Sequence, residues 1–299
     1  MSGTGTSDPS STSDTSDTSD PSRTSGTSGT STSGQAVVLL DVSDRIAIVT
    51  LNRPHARNAL SRELMTALPR AVAEVDGRDD VDVIVITGAD PAFCAGVDLK
   101  ELGGSTSVLG SRAPADSGAA GRSDRQRRGP LWPAAKPVIG AVNGAAITGG
   151  FELALNCDFL VASDRARFAD THARVGIQPG WGLTVLLPQA VGYRRAREMS
   201  ATGNFIDAQT ALGWGLVNHV VPHDDLLTFT RTLAADIVSN DQAAVRQIFA
   251  TYDEGVEHAS GHAWAIEERV AGEWLGASFD LAEVERRRQA IIDRGRAQV

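Results

Sequence analysis

The chain has 299 residues, 41% hydrophobic and only 5% aromatic, which suits one large aliphatic-cored domain, alone or with an appendage. A formal net charge of −9 argues against a general nucleic-acid surface, so no nucleic-acid partner is expected. No apolar run is long enough for a transmembrane helix and no signal peptide precedes the fold, so no membrane partner is expected either. Apart from Met1 and Arg23, residues 1–34 contain only Ser, Thr, Gly, Asp and Pro. Such a segment has no apolar surface to offset the entropy of ordering and is expected to be a disordered tail. Whether it is a phosphorylated tail, a solubility spacer or a neutral extension stays open. Ala36–Asp41 and Ile46–Leu51, around Ser43-Asp44, predict a hairpin. Ser61 is placed to cap a helix running towards Val75, with Leu64, Leu68, Ala71 and Val75 at helical spacing. Val81–Thr87, apolar from Val83 to Ile86, with Val138–Val142 and Phe159–Ala162, are apolar runs of the kind that strands covered on both faces require.

Helices are expected between these strands and after them, over Gly149–Cys157 and Arg194–Thr202. Strand, helix, strand at this spacing predicts right-handed crossover units. The last eighty residues read as almost wholly helical, over Asp225–Asn240, Gln242–Tyr252, Ala263–Trp274 and Ala282–Gly295. Gly103–Gly129 mixes Gly, Ser and Ala with Arg112, Arg122, Arg125, Arg127 and Arg128. It is either a flap over an acyl pocket with arginines near phosphates, or a solvated loop with a short helix. Cys94 and Cys157 sit beside apolar residues and are expected as free thiols of a cytoplasmic protein.

The chemistry concentrates in FCAGVDLKE (93–101) and KPVIGAVNGAAITGGFELALNCD (136–158). Each runs from an apolar stretch into a glycine turn and towards a helix start, which aims backbone N–H groups at a ligand. Two such turns could hold one developing oxyanion between two donors. Glu152 follows Gly149 by three residues and so shares its helix face.

These segments resemble the crotonase superfamily, whose best-known member is enoyl-CoA hydratase. The likeness covers roughly residues 36–299 and extends, in the family's order, through PGWG (179–182) and ATGNFIDAQTALGWGLVNHVVP (201–222). It implies an α/β fold: a ββα spiral core over 35–205, then a helical region over 206–299 that builds homotrimers, often stacked as hexamers. It also implies an acyl-CoA substrate and no separate cofactor. The N–H groups of Val97 and Gly149 would hold the thioester oxygen. CoA would lie across the turn NRPHARNAL (52–60), with His55 and Arg57, and the turn carrying Ala95, Val97, Asp98, Leu99 and Lys100. Trp181 either lines the acyl pocket or packs in the core. Hydratases of this family hold a water between two glutamates, and Glu152 matches the first.

The second position departs from the pattern. Twenty residues after Glu152, in the run FADTH, His172 stands where the second glutamate would be. Imidazole transfers protons near neutral pH, so a Glu152–His172 pair can still activate water. Asp170, two residues earlier, is expected to face His172 poorly from either a strand or a helix. The main expectation is an enoyl-CoA hydratase. An enoyl-CoA isomerase, a hydrolase of thioester or carbon–carbon bonds, and a non-catalytic acyl-CoA-binding homologue remain alternatives. His219 and His223 read as surface or turn residues. No cluster has metal-ligand spacing, no phosphate loop appears, and no GxSxG elbow suggests a serine triad.

Overall fold

The computed structural model describes residues 36–98, 101, 129, 131, 133–277 and 280–298. Three expectations lie outside them: the disordered tail over 1–34, the ligand contacts of Leu99 and Lys100, and the arginine-rich segment up to residue 128.

The first hairpin forms as expected. Strand β1 (Val38–Ser43) runs antiparallel to β2 (Ile46–Leu51), and positive φ at Asp44 and Arg45 closes the turn. Helix α1 (Arg62–Asp76) follows, its Ser61 hydroxyl accepting from the Leu64 N–H at 3.1 Å. Strands β3 (Val83–Gly88), β5 (Val138–Val142), β7 (Phe159–Ser163) and β10 (His219–Val221) extend the sheet in the order β1-β2-β3-β5-β7-β10. Every pairing after the first is parallel.

The unbroken apolar runs have a direct cause. Side chains alternate across a strand. Ile46, Ile48, Val83, Val85, Ile139 and Ala141 face α7 (Leu226–Val238), while Ala47, Val49, Leu51, Ile84 and Ile86 face the larger core that α1 closes. With a helix on each side, neither face can be polar.

A smaller sheet, β4 (Ala92–Cys94), β6 (Ala145–Ile147), β8 (Arg167–Ala169) and β9 (Ile206–Asp207), lies in the order β4-β6-β8-β9. Its strands of two or three residues are too short to carry a readable period. Four helices accompany it: α2 (Gly149–Leu155), the single turn α3 (His172–Val175), α4 (Leu183–Val191) and α5 (Tyr193–Thr202).

The chain after 205 is not wholly helical. β9 joins the small sheet, and β10 completes the large one after α6 (Ala208–Trp214). Residues 36–299 form one compact unit. The two expected helices after Gln242 are one, α8 (Gln242–Ala277), followed by α9 (Leu281–Arg296). Gly255 and Gly261 weaken such a helix by about 1 kcal/mol each without breaking it, and no proline interrupts the ladder.

Candidate active site

The two turns expected to carry CoA are joined to each other. In the first, Arg57 and Asn58 both take positive φ, and the buried Asn58 amide donates to the carbonyls of Ala89 and Ala92 at 2.7 Å each. The second turn runs alongside. Ala95 N–H donates to Arg57 O, Leu60 N–H to Gly96 O and Asp98 N–H to Leu60 O, at 3.0, 2.8 and 3.1 Å. Leu60 therefore bonds on either side of Val97, and alternation along an extended segment turns the Val97 N–H away from it. Gly96 has φ +91°, and a Cβ there would come within 2.8 Å of the Ile147 carbonyl and 3.6 Å of the Gly149 nitrogen. The Val97 and Gly149 turns thus touch, as paired amide donors require.

His55 and Arg57 project from the first turn and are exposed. The Asp98 carboxylate accepts from Arg53 at 3.1 Å, so this side chain braces one turn against the other. Arg53 was not marked in the sequence, since a lone arginine before Pro54 carries no spacing signal.

Thr148 opens α2 at φ 53°, ψ −114°, a conformation that costs a β-branched residue about 1–3 kcal/mol. Two contacts hold it there: its N–H donates to Ala169 O at 3.0 Å, and its hydroxyl bonds that of Thr171. The next two residues are glycine out of necessity. A Cβ on Gly150 would lie 2.1 Å from the Cys94 carbonyl oxygen. α2 then carries Glu152 inward, where it is 2% exposed. Its Oε1 accepts from the N–H groups of Gly180 and Trp181 at 3.3 and 2.8 Å. Its Oε2 lies 3.4 Å from His172 Nε2.

His172 is brought to Glu152 as the resemblance implied, but the expectation for Asp170 is overturned. Asp170 follows the end of β8 and His172 begins α3, so the chain bends between the two elements. One Asp170 oxygen accepts both the His172 N–H at 3.1 Å and ring Nδ1–H at 2.7 Å. This is an aspartate side-chain turn across two residues, a local geometry that neither a strand nor a helix permits. Burial pushes the imidazole pKa down. The Glu152 charge and the hydrogen bonds of Asp170 and Glu152 outweigh it, holding the pKa up at about 9. For Asp170, burial pushes upward, but bonds from His172 and Ser200 keep its carboxyl below the ordinary range. At neutral pH the line Asp170–His172–Glu152 holds an imidazolium at its centre.

These groups border a narrow pocket of about 30 Å³. Val97, Gly149, Glu152, His172 and Trp181 line it, with Ala271 and Leu275 contributed by α8. Trp181 therefore lines the pocket. Its carbonyl accepts from the Asn156 amide at 2.8 Å, and its ring covers Gly149.

Elsewhere, Cys94 and Cys157 are buried free thiols. Burial pushes Cys94 up to about 12 and raises Cys157 as well. His223 links Asp90 at 3.1 Å to Ser163 at 3.4 Å, an order reminiscent of a serine triad. The Ser163 hydroxyl, however, is fully buried and donates to Asn143 O at 3.0 Å, so the arrangement ties strands together. Among the described residues no metal-binding cluster occurs, and no helix is long and apolar enough to cross a membrane.

The profile of the family described as enoyl-CoA hydratase/isomerase matches residues 41–282. A probable peroxisomal enoyl-CoA hydratase 1 of Arabidopsis thaliana is 40% identical over 77% of this chain and 83% of its own. A crystal structure of enoyl-CoA hydratase from Mycobacterium smegmatis, 49% identical, superposes with a TM-score of 0.71 over 82% of this chain and 100% of the other. That of a monofunctional enoyl-CoA isomerase from the same organism, 32% identical, gives 0.60 over 75% and 95%. With the same order of motifs, the same fold and similarity across most of both chains, the protein belongs to the enoyl-CoA hydratase/isomerase family.

Proposed function

We propose that the protein is an enoyl-CoA hydratase in which an imidazolium–carboxylate pair does the work of two carboxylates. One observation carries this: His172 Nε2 faces Glu152 Oε2 across 3.4 Å, beside the touching turns of Val97 and Gly149. The thioester oxygen lies between the N–H groups of Val97 and Gly149, where the positive end of α2 adds to the attraction. Glu152 Oε2 takes a proton from water as its oxygen bonds to C3 of the enoyl group. Electrons from the C2–C3 bond move to the thioester oxygen as an enolate. His172 Nε2–H then protonates C2, and the proton on Glu152 returns to Nε2 across the gap. A donor that remains protonated at neutral pH suits the acid role.

The CoA nucleotide lies across the Arg57 and Val97 turns with His55 and Arg57 near phosphate, and no separate cofactor takes part. The same reading makes the enzyme a homotrimer or a hexamer of two trimers, assembled mainly through residues after 205. Exposed Ile248, Tyr252 and Ile266 on α8 support this, and light scattering at micromolar concentration tests it. A cytoplasmic location is supported by the two unpaired thiols.

Loss of the conjugated-thioester absorbance of crotonyl-CoA and longer 2-enoyl-CoAs, followed in D2O, should show turnover with deuterium at C2. An isomerase is the second reading, favoured by Glu152 being the one carboxylate among the described residues that line the pocket, placed to carry a proton between carbons. No hydration across the panel, with conversion of 3-enoyl to 2-enoyl thioesters, would establish it instead.

A further inference from the structure

Glu267 is a buried carboxylate that the chemistry above does not use. It lies on α8, 6% exposed, and far along the chain from Glu152. Oε1 accepts from the Gly182 N–H at 2.5 Å. Oε2 accepts from the Thr184 N–H at 2.7 Å and from the Thr184 hydroxyl. These are the donors at the opening of α4, where helix N–H groups have no partner within the helix.

The turn leading into α4 is also the turn that holds the reacting carboxylate. Gly180 and Trp181, whose N–H groups donate to Glu152 Oε1, directly precede Gly182. Gly182 sits at φ +98° against the ring of Trp264, where a Cβ would meet ring carbon at 2.0 Å. The turn is therefore anchored to α8 at one end and grips Glu152 at the other. Capping alone does not need a buried charge. A neutral side chain would satisfy a helix start without placing a second anion near Glu152, and burial and the Glu152 charge both oppose ionisation of Glu267.

Building on the hydratase reading, we infer that Glu267 is a positioning residue: through the 180–182 turn it fixes Glu152 Oε1, leaving Oε2 aimed at His172 and the attacking water. α8 thereby sets the geometry of a reaction it does not itself perform.

The test compares Glu267→Gln and Glu267→Ala with the parent full-length chain in crotonyl-CoA hydration and in the NMR titration of His172. The His172→Gln spectrum identifies the ring signal. Small displacements of catalytic groups cost up to about 100-fold, so kcat should fall about 10- to 100-fold with KM within about twofold. Gln, which keeps one acceptor oxygen, should recover part of the loss. The His172 midpoint should fall from about 9 as Glu152 drifts from it. Variants that melt earlier yet keep the parent kcat and His172 midpoint would overturn the inference, leaving Glu267 as a clasp between helices. If the parent hydrates no enoyl-CoA, the functional reading fails, and the His172 titration still decides the role of Glu267. Should Glu267→Ala not fold, Glu267→Gln and Thr184→Val carry the same two readouts, with smaller changes expected in the same direction.

Discussion

His172 ties the stability of this protein to pH, and His172→Gln should remove the tie. The folded-state pKa is about 9 against an ordinary value of 6.5, because Glu152 and Asp170 together outweigh the effect of burial. A group whose pKa is raised on folding stabilises fully below its unfolded pKa and loses that contribution as pH rises through the folded one. The window therefore runs from about pH 6.5 to about pH 9. At roughly 1.4 kcal/mol per tenfold change in proton affinity, the difference amounts to about 3 kcal/mol. No discount for solvent is needed at a side chain that is 6% exposed. Urea unfolding at fixed protein concentration should then show the parent losing about 3 kcal/mol relative to His172→Gln between about pH 6 and about pH 9.5. Parallel stability curves for the two proteins would refute the claim that His172 is held as a cation between its carboxylates.

Glu152→Gln should lower kcat by about 100-fold or more while leaving thioester binding in place, as calorimetry with acetoacetyl-CoA would measure. Gly150→Ala should cost about 1–3 kcal/mol in urea unfolding, because its Cβ meets main chain at Cys94 and not a movable side-chain end. His172→Glu alone should not improve hydration: a carboxylate there would face Asp170 as well as Glu152, so the gain is expected only when Asp170→Asn accompanies it. Arg57→Ala should weaken CoA binding, with a difference from the parent that shrinks in high salt.

The sequence made the large sheet legible because each of its central strands is buried on both faces, and an uninterrupted run such as Val83–Gly88 has no other simple cause. It likewise brought Glu152 and His172 into one site, since the motif order fixes the chain path between them. The short strands β4, β6, β8 and β9 escaped because three residues cannot establish a period. Asp170 was misjudged for a related reason. Reasoning by regular elements assigns each residue to a strand or a helix, and the contact with His172 exists only because the strand ends just before Asp170 and the helix begins at His172. Glu267 escaped altogether: a glutamate on a long polar helix reads as solvated surface until the partner turn, some eighty residues away, is seen against it.

The Cys94 thiol has a consequence for experiment. It ends β4, two residues before the turn at Gly96, fully buried and with burial pushing its pKa up to about 12. An alkylating reagent near pH 8 finds neither access nor thiolate in the closed protein, so labelling must wait for the surrounding segment to open. The labelling half-life becomes an intrinsic clock for the opening of the segment that carries the Val97 amide. A thioester bound only to the closed form should slow that clock in proportion to its occupancy. Ligands could then be ranked by protection of one native cysteine, without turnover and without an added probe.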